Sequence, residues 1–465
     1  MSRIKGTADG IRQNAPFSES PGATMNTPEL LAPAGTPEHL ETAFAYGADA
    51  VYAGQPRYSL RVRNNSFKDV AALGAGIERA HELGKQFYLV SNIAPHNDKV
   101  RSYLRDLAPV LEQKPDALIM SDPGLIMLVR EKWPDQPIHL SVQANAVNWA
   151  TVEFWRRQGI SRVILSRELA LNEIREIRER VPEMELEVFV HGALCMAYSG
   201  RCLLSGYMNH RDANQGACTN ACRWNYKQVQ HGHDQTGDLI ATCGGGDVQE
   251  VAPKEILLEE PNRPRGFIPA YEDEHGTYIM NSKDLRAVQH VAELAKMGVH
   301  SLKIEGRTKS TYYVARTTQV YRRAIDEAMQ GKPFDMNLMD ELEALSNRGY
   351  TEGFLRRHMP REYQTYEQGS SFLGTQQVVG TITDTDDQWL TIDVKNKFAP
   401  GDQLELISPA GNIRFSANVM ENRNGQAMDY APGSGHIVRI PIPADLPQNL
   451  NHSYLTRILP SAPSN

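Results

Sequence analysis

Four cysteines stand close together near the middle of the chain: Cys195, Cys202, Cys218 and Cys222, spaced C-x6-C-x15-C-x3-C. A thiolate is a soft, anionic ligand, and four of them can hold zinc or an iron–sulfur cluster. Structural zinc sites pair their cysteines about two to four residues apart, and the six-residue first gap departs from that pattern. Iron–sulfur sites tolerate more varied spacing. Gly192, Gly200, Gly206 and Gly216 surround the thiols, and glycine permits close backbone approach to a bulky group. A 4Fe–4S cluster is therefore expected, with zinc and metal-free thiols left open. The fifth cysteine, Cys243, lies in a different setting and is read as a bystander.

These thiols need elements to position them. From Pro28 the sequence repeats a short apolar run, a polar turn and a helical pattern. The runs are 29–33, 50–54, 87–92, 117–122, 138–143, 162–167, 187–192 and 301–307, with helices expected at 36–46, 69–83, 98–112, 123–132, 148–158, 170–180 and 283–297. Eight such units predict a TIM-like (β/α)8 barrel, with a doubly wound open sheet as the alternative. YIMNS at 278–282 is a ninth candidate strand. Cys195 follows the seventh run directly, so the thiols leave from a strand end, where barrel active sites gather.

The other strand ends are polar. His191, Asp122, Arg167, Glu305 and Arg307 are the candidates for acid–base work or for clamping an anion. Asn92, Gln143 and Asn145 are candidates for holding a substrate. Arg57, Arg61 and Arg63 follow the second strand, and with Tyr58 they have the composition to grip nucleic-acid phosphates and stack on a base. Each residue also has a plainer reading. Asp122, Asn145 and Glu305 suit helix caps or loop hydrogen bonds. His191 beside an apolar strand suits a packed histidine, and the arginines suit a solvated loop.

The chain has 465 residues, enough for two domains or more. Lys and Arg number 49 against 56 Asp and Glu, a net charge of −7, which excludes a surface that is basic all over but not a local basic groove. No apolar run is long enough to span a membrane, five cysteines do not make a secreted disulfide framework, and a cytoplasmic location is expected. Residues 1–26 read as a disordered tail without signal-peptide features, and Met25 is a possible start. The barrel is expected over 27–335 with a cysteine-rich insertion at 192–270, then a connector at 336–373. In the insertion, 225–269 reads as a long irregular excursion. Residues 307–331 read as a helix whose aromatic stripe belongs to the core. From 374 to 460 the period switches to two, predicting a small C-terminal β-barrel domain. No HExxH zinc site and no G-x-S-x-G elbow occurs, so the residues give hydrolysis little support.

The stretch from Glu187 to Ser205, E-x-F-x2-G-A-L-C-x4-G-x-C-x-L-S, resembles the signature of the peptidase U32 family. ELLAPAG, FAYGADAVYAGQPRYSLRVRNN, IHLSVQANAVNWATV and GVHSLKIEGRTKS resemble one branch of that family, and the likeness runs over about residues 27–460. The resemblance implies formation of 5-hydroxyuridine at the tRNA wobble position, by a route that depends on prephenate and on iron–sulfur biogenesis. It makes tRNA the expected partner and prephenate the expected co-substrate. Prephenate is a dicarboxylate, so Arg167 and Arg307 are its candidate clamps. Two other functions stay open: peptidase activity, as in the family's name, and non-catalytic tRNA binding with a structural cluster.

Overall fold

The computed structural model describes residues 26–60, 66–194, 283–306, 309–347, 349–356 and 375–459, together with the backbone of five strands between 231 and 278. Eight parallel strands form the central sheet: β1 (Glu29–Pro33), β2 (Ala50–Gly54), β3 (Gln86–Ser91), β4 (Ala117–Met120), β5 (Ile138–Leu140), β6 (Arg162–Ile164), β7 (Glu185–Ala193) and β8 (Ser301–Ile304). β8 pairs with β1 through Glu29↔Ser301 and with β7 through Glu187↔Ser301, so the sheet closes into a barrel. This is the expected (β/α)8 architecture, and the open doubly wound sheet is excluded.

The helices flanking the barrel strands are α1 (Pro37–Ala45), α2 (Val70–Glu82), α3 (Asn97–Leu111), α4 (Pro123–Lys132), α5 (Trp149–Arg157), α6 (Leu171–Arg180), α7 (Val291–Lys296) and α8 (Thr311–Met329), and a further short helix, Asn337–Glu343, follows them. Five of these starts are fixed by side chains that satisfy otherwise unpaired N–H groups. Thr36 accepts from the His39 amide at 3.1 Å, Asp69 from Ala72 at 2.8 Å, Asn148 from Thr151 at 2.9 Å and Ser310 from Tyr313 at 3.2 Å.

The barrel interior is not purely apolar. Glu187 is fully buried; Lys303 donates to its Oε1 at 2.7 Å and Arg162 to its Oε2 at 3.4 Å. Arg162 also donates to Glu29 at 2.7 Å, and the Tyr88 hydroxyl donates to Glu29 at 2.5 Å. A buried charge is tolerated only when paired in this way.

The helix expected at 283–297 does not begin where the periodicity places it. Asp284–Arg286 is a short strand, followed by a 3-10 turn at Val288–His290 and only then by α7. The reason is an open edge. β7 runs on to Ala193 after β6 has stopped at Ile164, and its unpaired backbone groups need partners. Strand 284–286 supplies them, antiparallel, through Asp284↔Ala193 and Arg286↔His191. Tyr350–Thr351, from the segment expected to be connector, pairs in turn with that strand. Of the ninth candidate strand only Tyr278 is among the described residues. Its first residue, Tyr278, ends the strand Gly276–Tyr278 of a separate antiparallel sheet, whose other members are Lys254–Glu259 and Phe267–Asp273. With the hairpin His231–His233 and Leu239–Ala241, these strands occupy part of a stretch expected to be irregular.

The C-terminal domain is a seven-stranded antiparallel sheet in the order 411–416, 403–408, 454–458, 376–385, 389–394, 437–441 and 421–422. Alternation in WLTIDV turns Leu390, Ile392 and Val394 into its core beside Leu404, Leu406, Val438 and Leu455. The domain docks on α1 and α8. Arg316 of α8 is 1% exposed and lies 3.2 Å from Glu341 and 3.5 Å from Glu405. Gln319 donates to the Ser408 carbonyl at 2.9 Å, and the Tyr46 hydroxyl reaches the carbonyls of Ile407 and His452.

Candidate active site at the barrel mouth

At the C-terminal strand ends, hydrogen bonds link one loop to the next. On the side from β3 to β6 the linked groups are uncharged. Asn92, just after β3, donates to the Ser141 hydroxyl after β5 at 3.2 Å and accepts from the Leu60 amide at 3.3 Å. Ser121, after β4, donates to the Asn92 carbonyl at 3.1 Å. After β5 the chain makes a 3-10 turn at Val142–Ala144, and Asn145 takes a left-handed conformation at φ 53°. Asparagine tolerates that region because its short side chain bonds locally, and here it donates to the Gln143 carbonyl at 3.0 Å. Gln143 Oε1 and the hydroxyl of Ser166, after β6, are buried with no hydrogen-bond partner among the described residues.

From β6 to β8 the rim is charged. Arg167 donates to the Ala193 carbonyl at 2.7 Å, lies 3.4 Å from Glu305 and covers the Phe189 ring with its guanidinium 3.9 Å from the centroid. Its Nε is buried and has no partner among the described residues. β7 and β8 come unusually close here. Gly192 sits at φ 107°, and a Cβ built on it would lie 2.3 Å from the Glu305 carbonyl oxygen. Only glycine fits, and the approach sets the end of β7 against Glu305.

The structure separates the candidate residues. Arg167 and Glu305 meet at the mouth, as do Asn92, Gln143 and Asn145. Asp122 is the N-cap of α4, accepting from the Leu125 amide at 2.9 Å, so it takes its plainer reading. His191 turns away from the lumen. It is 1% exposed, with Tyr313, Tyr321 and Tyr350 around it at ring-centroid distances of 5.8, 5.5 and 5.4 Å. Burial lowers its pKa to about 3, opposed by nearby Asp284 and aided by Lys309 and Arg286. A histidine so placed is neutral and inaccessible at physiological pH, which is a poor general base. Tyr58 cannot stack on a base as expected: it is 1% exposed, and its hydroxyl is 2.7 Å from both Ser102 and Asp106. Its ring and hydroxyl close the core beside Tyr103 instead. Arg57 is exposed, with φ 68°, and pairs with Asp106 at 2.9 Å. Arg61, Arg63, Arg307 and the four cysteines Cys195, Cys202, Cys218 and Cys222 lie outside the described residues.

Sequence reasoning passed over Ser141 and Ser166. Both follow apolar strand runs, as Asn92 and Arg167 do, and that position was the available signal. It also passed over the buried Glu187, Lys303 and Arg162, whose charges stand inside strand runs. No described helix is long and apolar enough to cross a membrane.

A closed (β/α)8 barrel with polar groups converging at its C-terminal rim, followed by an antiparallel sheet domain, is the architecture of a barrel enzyme with an appended module. The chain belongs to peptidase family U32: residues 35–365 match that family, and residues 374–455 match the peptidase family U32 C-terminal domain. It is 61% identical over 443 residues to tRNA hydroxylation protein P of Escherichia coli strain K12, covering 93% of this chain and 97% of that protein. It is 59% identical over 450 residues to tRNA hydroxylation protein P of Haemophilus influenzae, covering 94% and 97%. A more distant relative is the 23S rRNA 5-hydroxycytidine C2501 synthase of Escherichia coli strain K12, 28% identical over 93% of this chain and 59% of that protein.

Proposed function

We propose that this chain hydroxylates tRNA, converting the wobble uridine to 5-hydroxyuridine in a reaction that depends on prephenate and on an iron–sulfur cluster. The observation that carries this reading is 61% identity to a tRNA hydroxylation protein across 97% of that protein's length. At such identity over both domains, a shared activity is the simplest expectation. A cytoplasmic location fits a tRNA substrate.

The donor set of Cys195, Cys202, Cys218 and Cys222 suits a 4Fe–4S cluster, and these four residues would hold it. A bound cluster of this kind supplies electron transfer. The chain's own residues hold the substrates. Arg167 keeps one buried N–H donor without a partner among the described residues, beside a guanidinium already steadied by Phe189 and the Ala193 carbonyl. That donor suits a carboxylate of prephenate. Arg307, which follows Glu305-Gly306 in the sequence, is the second candidate clamp. Peptidase activity through a Cys195–His191 pair is disfavoured, because His191 is buried among tyrosines and its pKa is lowered to about 3.

Purified, cluster-bearing protein given prephenate and tRNA lacking the modification tests the reading. Uridine should gain one oxygen atom at the wobble position. Protein that binds this tRNA without modifying it would instead be a presenting protein for another catalyst.

A further inference from the structure

We propose that the uncharged half of the mouth seats the substrate's pyrimidine base, with Gln143 reading the imide N–H of uracil. This rests on the uridine hydroxylation proposed above and adds where the base enters and which side chain recognises it.

The first reason is the pair of orphaned atoms. Gln143 Oε1 and Ser166 Oγ are shielded from water, and neither has a partner among the described residues. Ser166 is 5% exposed. Buried polar atoms are nearly always paired, and a pair left open on adjacent strand ends is explained by a ligand that completes it. The loops after β5 and β6 that carry these atoms are joined, because the Ser166 amide donates to the Ala146 carbonyl at 3.3 Å.

The second reason is that the fold does not need the Gln143 side chain. Its turn is pinned through the main chain: the Gln143 amide donates to the Ser141 hydroxyl at 3.4 Å, and its carbonyl accepts from Asn145 at 3.0 Å. The carboxamide is left over for another use.

The third reason is chemical. An amide oxygen attracts no anion; it needs a donor. Uracil offers N3–H between two carbonyl oxygens. A carboxamide matches that edge, accepting from N3–H and donating to one neighbouring carbonyl. The Ser166 hydroxyl can donate to the other. The anion-binding capacity lies at Arg167 Nε, on the residue after Ser166 and one strand end from Gln143. Base and negative group therefore have separate places on one rim. A nucleotide reaches strand ends only when swung out of its stack, which costs least in a single-stranded loop.

The test uses the cluster-bearing full chain and an anticodon stem-loop RNA carrying either uridine or N3-methyluridine at the wobble position. Affinities are read by fluorescence anisotropy. Wild type should bind the uridine loop on the order of tenfold more tightly, the worth of one buried hydrogen bond. Gln143→Ala leaves room for the methyl group, so it should weaken the uridine loop by a similar factor and bind both loops alike. Ser166→Ala, a smaller change, removes a bond to a carbonyl that both loops carry, so it should weaken both loops by a similar factor, and unchanged affinities in that folded protein overturn the assignment if Gln143→Ala loses its fold. Equal binding of both loops by wild type, or an unchanged preference in a folded Gln143→Ala protein, overturns the assignment. If wild type restores 5-hydroxyuridine in a deletion strain while the loops bind alike, only the base assignment falls. If it restores none, the hydroxylation reading falls and the assignment with it.

Discussion

Protonating His191 in the folded chain is costly, because the ring is buried among three tyrosines and its Nε2 has no partner among the described residues. Its folded pKa of about 3 lies below the ordinary 6.5. The unfolded chain therefore takes up the proton first as pH falls. The stability from keeping this group neutral is fully present above about pH 6.5, and it drains away between there and about pH 3, at up to roughly 1.4 kcal/mol per pH unit. His191→Phe keeps the aromatic packing and removes the titration. Its unfolding free energy at pH 7 should stay within about 1 kcal/mol of wild type, and its loss of stability between pH 6 and 4 should be shallower, measured by urea melts across that range. Equal acid slopes would mean that His191 is not held neutral. The sequence showed His191 beside the cysteines but not which way the ring turns. That depends on Tyr313, Tyr321 and Tyr350, from elements far along the chain. Asp122 was legible as a cap from its place before Pro123. Tyr58 was misjudged because the partners that bury it, Ser102, Tyr103 and Asp106, lie on α3.

Elements were easier to read than side chains. All eight barrel strands stand where apolar runs end in polar turns, because a parallel sheet covered on both faces needs continuous apolar strands. The failure at 283–297 has the opposite character: local periodicity favours a helix, but the open edge of β7 captures Asp284–Arg286. An edge created by one strand outrunning its neighbour is a tertiary fact that no local pattern carries. The docking of the C-terminal domain was likewise hidden, since Arg316 reads as one more polar residue of a long helix. Its burial between Glu341 and Glu405 gives it a large structural role. Removing one member of such a buried set leaves charges uncompensated and costs about 3–5 kcal/mol. Arg316→Ala should therefore loosen the domain from α8, splitting the thermal unfolding transition in calorimetry and exposing the junction to protease. A single transition at the wild-type temperature would remove Arg316 from the interface energetics.

For the whole molecule, the barrel mouth joins a charged rim between β6 and β8 to linked uncharged groups between β3 and β6, and the four cysteines follow β7 in the sequence. Anaerobically purified protein should be brown, with about four irons per chain. Cys202→Ala should bleach it and Cys243→Ala should leave the colour intact, read by absorption spectra and metal analysis. Colourless protein with one zinc would replace the cluster with a structural metal. The activity itself is decided in the cell. tRNA from a strain deleted for its own copy of this chain is digested and its nucleosides weighed by mass spectrometry, with the wild-type chain or Cys202→Ala returned. Wobble 5-hydroxyuridine should vanish on deletion, return with wild type and stay absent with Cys202→Ala. An unchanged level of 5-hydroxyuridine in the deletion strain would contradict a role for this chain in tRNA hydroxylation.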